Sequence, residues 1–189
     1  MLELLEGTLE NAPTVKRGDY NYFQNPLTDG APNISPDILR EIGTAVIKIA
    51  NMEVDVILTM EAMGIHIAAV LSQMTNIPMN IIRKTERYLP EELVIDQTTG
   101  YSKGEMYLNG IKSGDRVLIF DIVISTGGTL IAVINGLNKL GAKIEDVICV
   151  IERDDGVAKV KEATGFEVKT LVKIDVGERI KIVDDYFSR

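Results

Sequence analysis

The sequence predicts an α/β fold: a mostly parallel central sheet flanked by helices. Short, nearly unbroken apolar runs such as VDVILTM (54–60) and IEDVICVI (144–151) alternate with stretches of helical spacing. Strands covered by helices on both faces read this way. One stretch, Val117 to Leu130 (VLIFDIVISTGGTL), passes from an apolar strand through an acid and a Gly/Thr-rich turn into a helical run. The 189 residues suit one such domain with a modest appendage.

Residues 2–10 predict a short amphipathic helix with Leu2, Leu5 and Leu9 on one face. Residues 11–36 hold four of the six prolines together with many Asn, Asp and Gly. They predict an extended or looped segment laid over the sheet. Ser35, Pro36 and Asp37 are helix-start chemistry: a cap, a proline at the first position and an acid in the first turn. Ile38, Leu39, Ile42, Val46 and Ile49 then mark a helix over 36–50. Val54 to Met60 is a strand; Glu61, Ala62, Met63 and Gly64 turn into a helix at 65–73. Pro78 to Arg83 is the next strand.

Residues 85–104 are polar and rich in turn formers, with one strand rung at Val94 and Ile95. Glu105 to Leu108 is a short strand. The VLIF strand follows and places Asp121 at its carboxyl end. The helix over 128–140 is closed by Gly141. Lys143 to Ile151 forms a strand, Glu152 to Gly156 a loop, and 157–163 one or two helical turns. Phe166 to Ile174 alternates as a sheet-edge strand does, and the tail ends in Tyr186 and Phe187, placed to cap the core or a pocket.

The chemistry centres on the turn after Asp121. Adjacent glycines let backbone N–H groups crowd inward, and the first amides of a helix lack internal partners. With the helix dipole these amides attract an anion. Ser125, Thr126, Gly127, Gly128 and Thr129 therefore form a candidate phosphate cradle. Neither GxxxxGK[ST] nor GxGxxG occurs, which excludes a Walker loop and a dinucleotide fingerprint.

The net charge of −8 argues against nonspecific nucleic-acid or anionic-membrane partners, yet leaves room for a small anion in a local amide nest. The single cysteine, Cys149, lies in an apolar run and reads as a core thiol. The N-terminus shows neither a signal peptide nor a long apolar span, so a cytoplasmic protein is expected. The lone His66 has no companion for a metal site; it is either a core histidine or a pyrophosphate contact. Arg83, Lys84 and Arg87 are either a phosphate-attracting cluster or a solvated one.

VLIFDIVISTGGTL resembles the signature with which type I phosphoribosyltransferases hold phosphoribosyl pyrophosphate: four apolar residues, two acids, two apolar residues, a variable residue, then TGGT. The wider resemblance runs over about Ile34 to Asp175, and within the family it points to enzymes acting on hypoxanthine and guanine. It implies a division into an N-terminal segment at 1–35 contributing to a hood, a core at 36–176 and a tail at 177–189. It implies purine salvage: transfer of a phosphoribosyl group to hypoxanthine or guanine, with Mg²⁺, in a homodimer. Adenine transfer, or a non-catalytic nucleotide-binding regulator, are the alternatives.

The resemblance also implies roles. Residues 125–129 cradle the 5′-phosphate. Glu61, Ala62, Met63, Gly64, Arg83 and Lys84 hold pyrophosphate, and Tyr101, Ser102 and Lys103 lie on a loop that closes over the reacting centre. Asp121 and Lys103 serve catalysis, with Asp121 reaching the metal only through water. Tyr22, Phe23, Ile151 and Glu152 are candidates for the base; by composition Tyr22 and Phe23 read equally as loop anchors. Met63 stands where adenine enzymes tend to have Arg. Two departures stand out. Ile122 replaces the second acid, which implies weaker ribose binding. Ser125 replaces an acid that some oxopurine enzymes carry for the purine N7 proton, and serine is a poor base at its ordinary pKa.

Overall fold

The structure, a computed structural model, describes residues 1–18, 20–98 and 103–188. Its elements in order are α1 (Glu3–Glu10), β1 (Thr14–Arg17), β2 (Tyr20–Phe23), α2 (Pro26–Asp29), α3 (Pro36–Ile49), β3 (Val56–Met60), α4 (Ile65–Thr75) and β4 (Met79–Ile82). Then come β5 (Leu93–Thr98), β6 (Lys103–Leu108), β7 (Arg116–Ile124), α5 (Gly128–Leu140), β8 (Lys143–Glu152), α6 (Gly156–Thr164), β9 (Lys169–Val176) and β10 (Ile180–Asp185). The central sheet has the order β10-β9-β8-β7-β3-β4. All its pairings are parallel except β10 on β9.

Alternation along β7 divides the core. Leu118, Phe120 and Ile122 point to one face, among α1, α3 and α4; Val117 and Ile119 point to the other, among α5 and the β5–β6 hairpin. All five side chains are fully buried, which is what makes β7 the axis of the fold. Ser35 Oγ accepts from the Asp37 amide at 3.1 Å, capping α3 as its sequence predicts. The free amides that open α1 are met by a distant partner: Glu41 accepts from Leu4 and Leu5 at 3.1 and 2.8 Å. This pins α1 to α3.

Several expectations need correction. Residues 11–36 are not simply a loop: β1 and β2 form an antiparallel hairpin, and α2 follows, capped by Asn25. Phe23 and Leu27 drive this by entering the main core. Val94 and Ile95 belong to a full strand, β5, which pairs with β6 in a separate two-stranded sheet. β9 is not an edge strand, because the tail adds β10 outside it. Tyr186 and Phe187 pack edge to face, with centroids 5.6 Å apart, against the core. Asp121 does not end its strand: β7 runs on to Ile124.

Candidate active site

Four chain segments meet at the carboxyl ends of the parallel strands, where open α/β sheets place their ligands. After β7, Ser125 to Gly127 turn into α5. Gly127 caps that helix at φ +76° and no side chain bonds to the helix start, so its first amides are left for an anion. After β3, Glu61 to Gly64 turn into α4, and the Glu61–Ala62 peptide is cis. After β4 come Arg83 and Lys84. After β8 comes the loop from Arg153 to α6.

Two adjoining clefts result. One, of about 160 Å³, is lined by Asp121 and residues 123–130. The other, of about 440 Å³, lies between Met60, the Glu61–Met63 turn, Lys84, Gln97 and Thr28 of the hood. Asp121 and Thr129 line both.

Asp121 is half-buried, and burial pushes its carboxyl up to about 7; the Ile122 amide, donating to Oδ1 at 2.8 Å, and the nearby charge of Lys84 oppose the rise. Ile122 faces away from both clefts, fully buried between Phe120, Ile148 and Val150 in the opposite core. An acid in its place would meet that core, so the backbone here offers the cleft one acid from this strand.

The predicted pyrophosphate residues gather on the β3–β4 side. The Lys84 amide and the Arg83 guanidinium donate to Glu61 at 2.8 and 3.0 Å and hold its carboxyl below the usual range. The Arg83 charge is thereby shared with Glu61, whereas the exposed Lys84 lines the cleft. Gly64 is tightly fitted: a Cβ there would lie 1.9 Å from Thr59 Oγ1. His66 opens α4; its Nε2 is buried without a partner among the described residues, and burial lowers its pKa.

The predicted base residues separate. Phe23 is buried under Arg153, whose guanidinium carbon lies 5.9 Å from the ring centroid. Tyr22 donates to Asp29 at 2.5 Å. The Ile151 side chain is in the core, and Glu152 is held by Lys173 at 2.8 Å. Tyr101 and Ser102 fall outside the described residues, and Lys103 is placed only as the first residue of β6.

Sequence reasoning missed three features. Gln97 Nε2 donates to Thr129 Oγ1 at 2.6 Å, tying β5 to the phosphate turn; an isolated Gln in an alternating strand gives no signal for this. Arg153 and Asp154 bridge the hood to Ser125: Arg153 donates to the Asn21 carbonyl at 3.2 Å and to Asp154 at 3.0 Å, and Ser125 Oγ donates to Asp154 Oδ2 at 2.6 Å. Gly156 packs so closely that a Cβ would meet the Ser125 carbonyl at 2.3 Å.

Comparison with known proteins fits this geometry. Residues 33–186 match the family described as phosphoribosyl transferase domain. The hypoxanthine/guanine phosphoribosyltransferase of Methanothermococcus okinawensis is 57% identical over 175 residues, 93% of this chain and 96% of the relative. That of Methanocella paludicola is 54% identical over 184 residues, 97% and 96% of the two chains. Among solved structures, adenine phosphoribosyltransferase from Thermoanaerobacter pseudethanolicus superposes with a TM-score of 0.77 at 20% identity, over 92% of this chain and 99% of that one. The enzyme from Saccharomyces cerevisiae gives 0.74 at 19%, over 89% and 97%. At that identity these structures speak for the fold. A mostly parallel sheet with an N-terminal hood, the strand–acid–TGGT–helix turn and the match over 33–186 together establish that the chain belongs to the phosphoribosyltransferase family.

Proposed function

We propose that the chain transfers the 5-phosphoribosyl group of phosphoribosyl pyrophosphate to hypoxanthine or guanine, giving inosine or guanosine 5′-monophosphate and pyrophosphate in purine salvage. The observation that carries this reading is the pair of clefts meeting at Asp121 and Thr129. One suits a phosphate at a helix start; the other suits a ribosyl pyrophosphate. The names and the 54–58% identity of the curated relatives support the choice of base.

The 5′-phosphate sits on the amides of Ser125 to Thr129 and on the hydroxyls of Thr126 and Thr129. Asp121 accepts from a ribose hydroxyl. Substitution at C1 is in line, so base and pyrophosphate lie on opposite sides of the ribose. The sheet order offers two such sides, β3 and β4 flanking β7 on one and β8 on the other, and the exposed Lys84 beside the Glu61–Gly64 turn supports the first for pyrophosphate. Pyrophosphate therefore takes the Glu61–Gly64 amides and Lys84. The base takes the end of β8 and the hood, near Phe23 and Arg153. Positive charge and amides on the pyrophosphate side stabilise the charge that builds as the C1–O bond breaks.

Mg²⁺ fits as an ion carried largely by substrate. Among the described residues no three acids, histidines or cysteines converge, and Asp121 offers a single carboxylate to the cleft. Asp121 would hold it through water, and when bound the ion neutralises pyrophosphate oxygens. Among the described residues no helix is long and apolar enough to cross a membrane; the reading places the protein in the cytoplasm, as a homodimer with no nucleic-acid or membrane partner.

The test is a product assay with phosphoribosyl pyrophosphate, Mg²⁺ and each of hypoxanthine, guanine, xanthine, adenine, orotate and uracil. Turnover of hypoxanthine or guanine well above adenine is expected. Preference for adenine, or turnover of no base by a protein that still binds phosphoribosyl pyrophosphate, would overturn the reading.

A further inference from the structure

We propose that Asp154, acting through Ser125, takes the imidazole proton that the purine gives up as it joins the ribose. The proposal rests on the function proposed above. It begins with a chemical demand. As N9 of the purine bonds to C1, the C1–O bond breaks and pyrophosphate leaves with the electron pair. The joined base then carries one imidazole proton too many, at N7, and an acceptor must stand on the base side of the ribose.

That side is the end of β8 together with the hood, and its carboxylates can be taken in turn. Glu152 is buried, with Lys173 at 2.8 Å and Thr170 at 3.4 Å. Asp155 pairs with Lys159 at 2.8 Å. Asp121 serves the ribose. Asp29 of the hood already accepts from Tyr22, Thr28 and the Asn25 amide. Among the described residues Asp154 remains, with its side chain 48% exposed. It is held at φ +58°, and its Oδ2 receives both the Ser125 hydroxyl at 2.6 Å and Arg153 Nε at 3.0 Å. The side chain of Arg153 is only 7% exposed and also grips the hood at the Asn21 carbonyl. The acid is thus fixed from below by the buried arginine, and from the front by a hydroxyl at the mouth of the phosphate turn.

The hydroxyl that donates to Asp154 has lone pairs for a proton arriving from the base. N7–H gives its proton to Ser125 Oγ as Ser125 gives its own to Asp154 Oδ2. One N–H bond breaks, one carboxyl O–H bond forms, and Ser125 is unchanged. The serine need not be a base itself; the carboxylate behind it is. A positioned base of this kind contributes about 10²- to 10⁴-fold.

The experiment compares the parent, Asp154→Asn and Ser125→Ala with hypoxanthine and with 8-azahypoxanthine, whose triazole proton leaves more readily. Phosphoribosyl pyrophosphate affinity is measured alongside. Asn tolerates positive φ and keeps an oxygen for Arg153, so Asp154→Asn preserves the fold. The expected result is a loss of about 100-fold in kcat for hypoxanthine in both variants. With the aza base the loss shrinks at least tenfold, and Asp154→Asn keeps its phosphoribosyl pyrophosphate affinity. Equal losses for the two bases, or a lost affinity that parallels lost turnover, would mean that Asp154 only props the phosphate turn, and would overturn the proposal. So would an active parent matched by an equally active Asp154→Asn. A parent that turns over no oxopurine would instead overturn the proposed function, and this inference with it.

Discussion

Replacing Asp121 by Asn should make the folded chain more stable at neutral pH while crippling its function. In the folded chain burial holds the carboxyl's proton up to about pH 7, against 3.8 for the free group. Between those values the folded chain binds more protons than the unfolded one, so stability falls as pH rises through the window. The shift is about 3 units, and at about 1.4 kcal/mol per unit the ceiling is about 4 kcal/mol above pH 7. Asp121 lines a cleft open to water, where the effective dielectric is high, so about 2 kcal/mol is the working figure. Asn keeps an oxygen for the Ile122 amide and carries no charge. Urea unfolding of parent and variant at pH 4, 5.5, 7 and 8.5 gives the assay. The two midpoints should nearly coincide at pH 4. The variant should lead by about 2 kcal/mol at pH 8.5, or roughly 4–8 °C in Tm. A difference that stays constant with pH, or a variant less stable at pH 8.5, would refute the reasoning. The same substitution should cost roughly 10- to 100-fold in kcat/KM, the worth of a charged hydrogen bond to the ribose.

Other perturbations follow from the same geometry. Ile122→Asp should not repair a missing acid: it puts a carboxylate among Phe120, Ile148 and Val150 and should cost about 4 kcal/mol or more. A parent-like urea midpoint with faster turnover would contradict this. Gly156→Ala should force the Ser125 carbonyl from its place, raising KM for phosphoribosyl pyrophosphate about tenfold and costing about 1–3 kcal/mol in stability; steady-state kinetics and thermal melts check both. Gln97→Ala should release Thr129 and weaken phosphoribosyl pyrophosphate binding about fivefold by calorimetry, the worth of one neutral hydrogen bond.

The parts of the fold written in local chemistry were legible. Ser35-Pro36-Asp37 announces α3, and the glycine pair before Thr129 announces α5 and its anion site. What escaped depended on distant partners. Lys169 and Lys173 make β9 look like an edge, yet each reaches an acid on the neighbouring β8, Asp146 and Glu152, so an interior strand tolerates both. The β1–β2 hairpin is fixed by Phe23 entering a core formed largely by later residues. The depth of Asp121 follows from β7 continuing three residues beyond it into an apolar layer. Only the fold reveals that Ile122 faces the other way, since alternation becomes a direction once the helices are placed. Asp154 was visible as part of an acidic loop, but nothing local ties it to Ser125, 29 residues earlier.

The most direct measurement is a crystal structure with inosine 5′-monophosphate bound. The phosphate should lie on the amides of 125–129, a ribose hydroxyl should meet Asp121, and the purine should rest over the end of β8 beneath the hood, with N7 toward Ser125. A purine on the opposite side, over the Glu61–Gly64 turn, would contradict the assignment of base and pyrophosphate sides on which the mechanism stands.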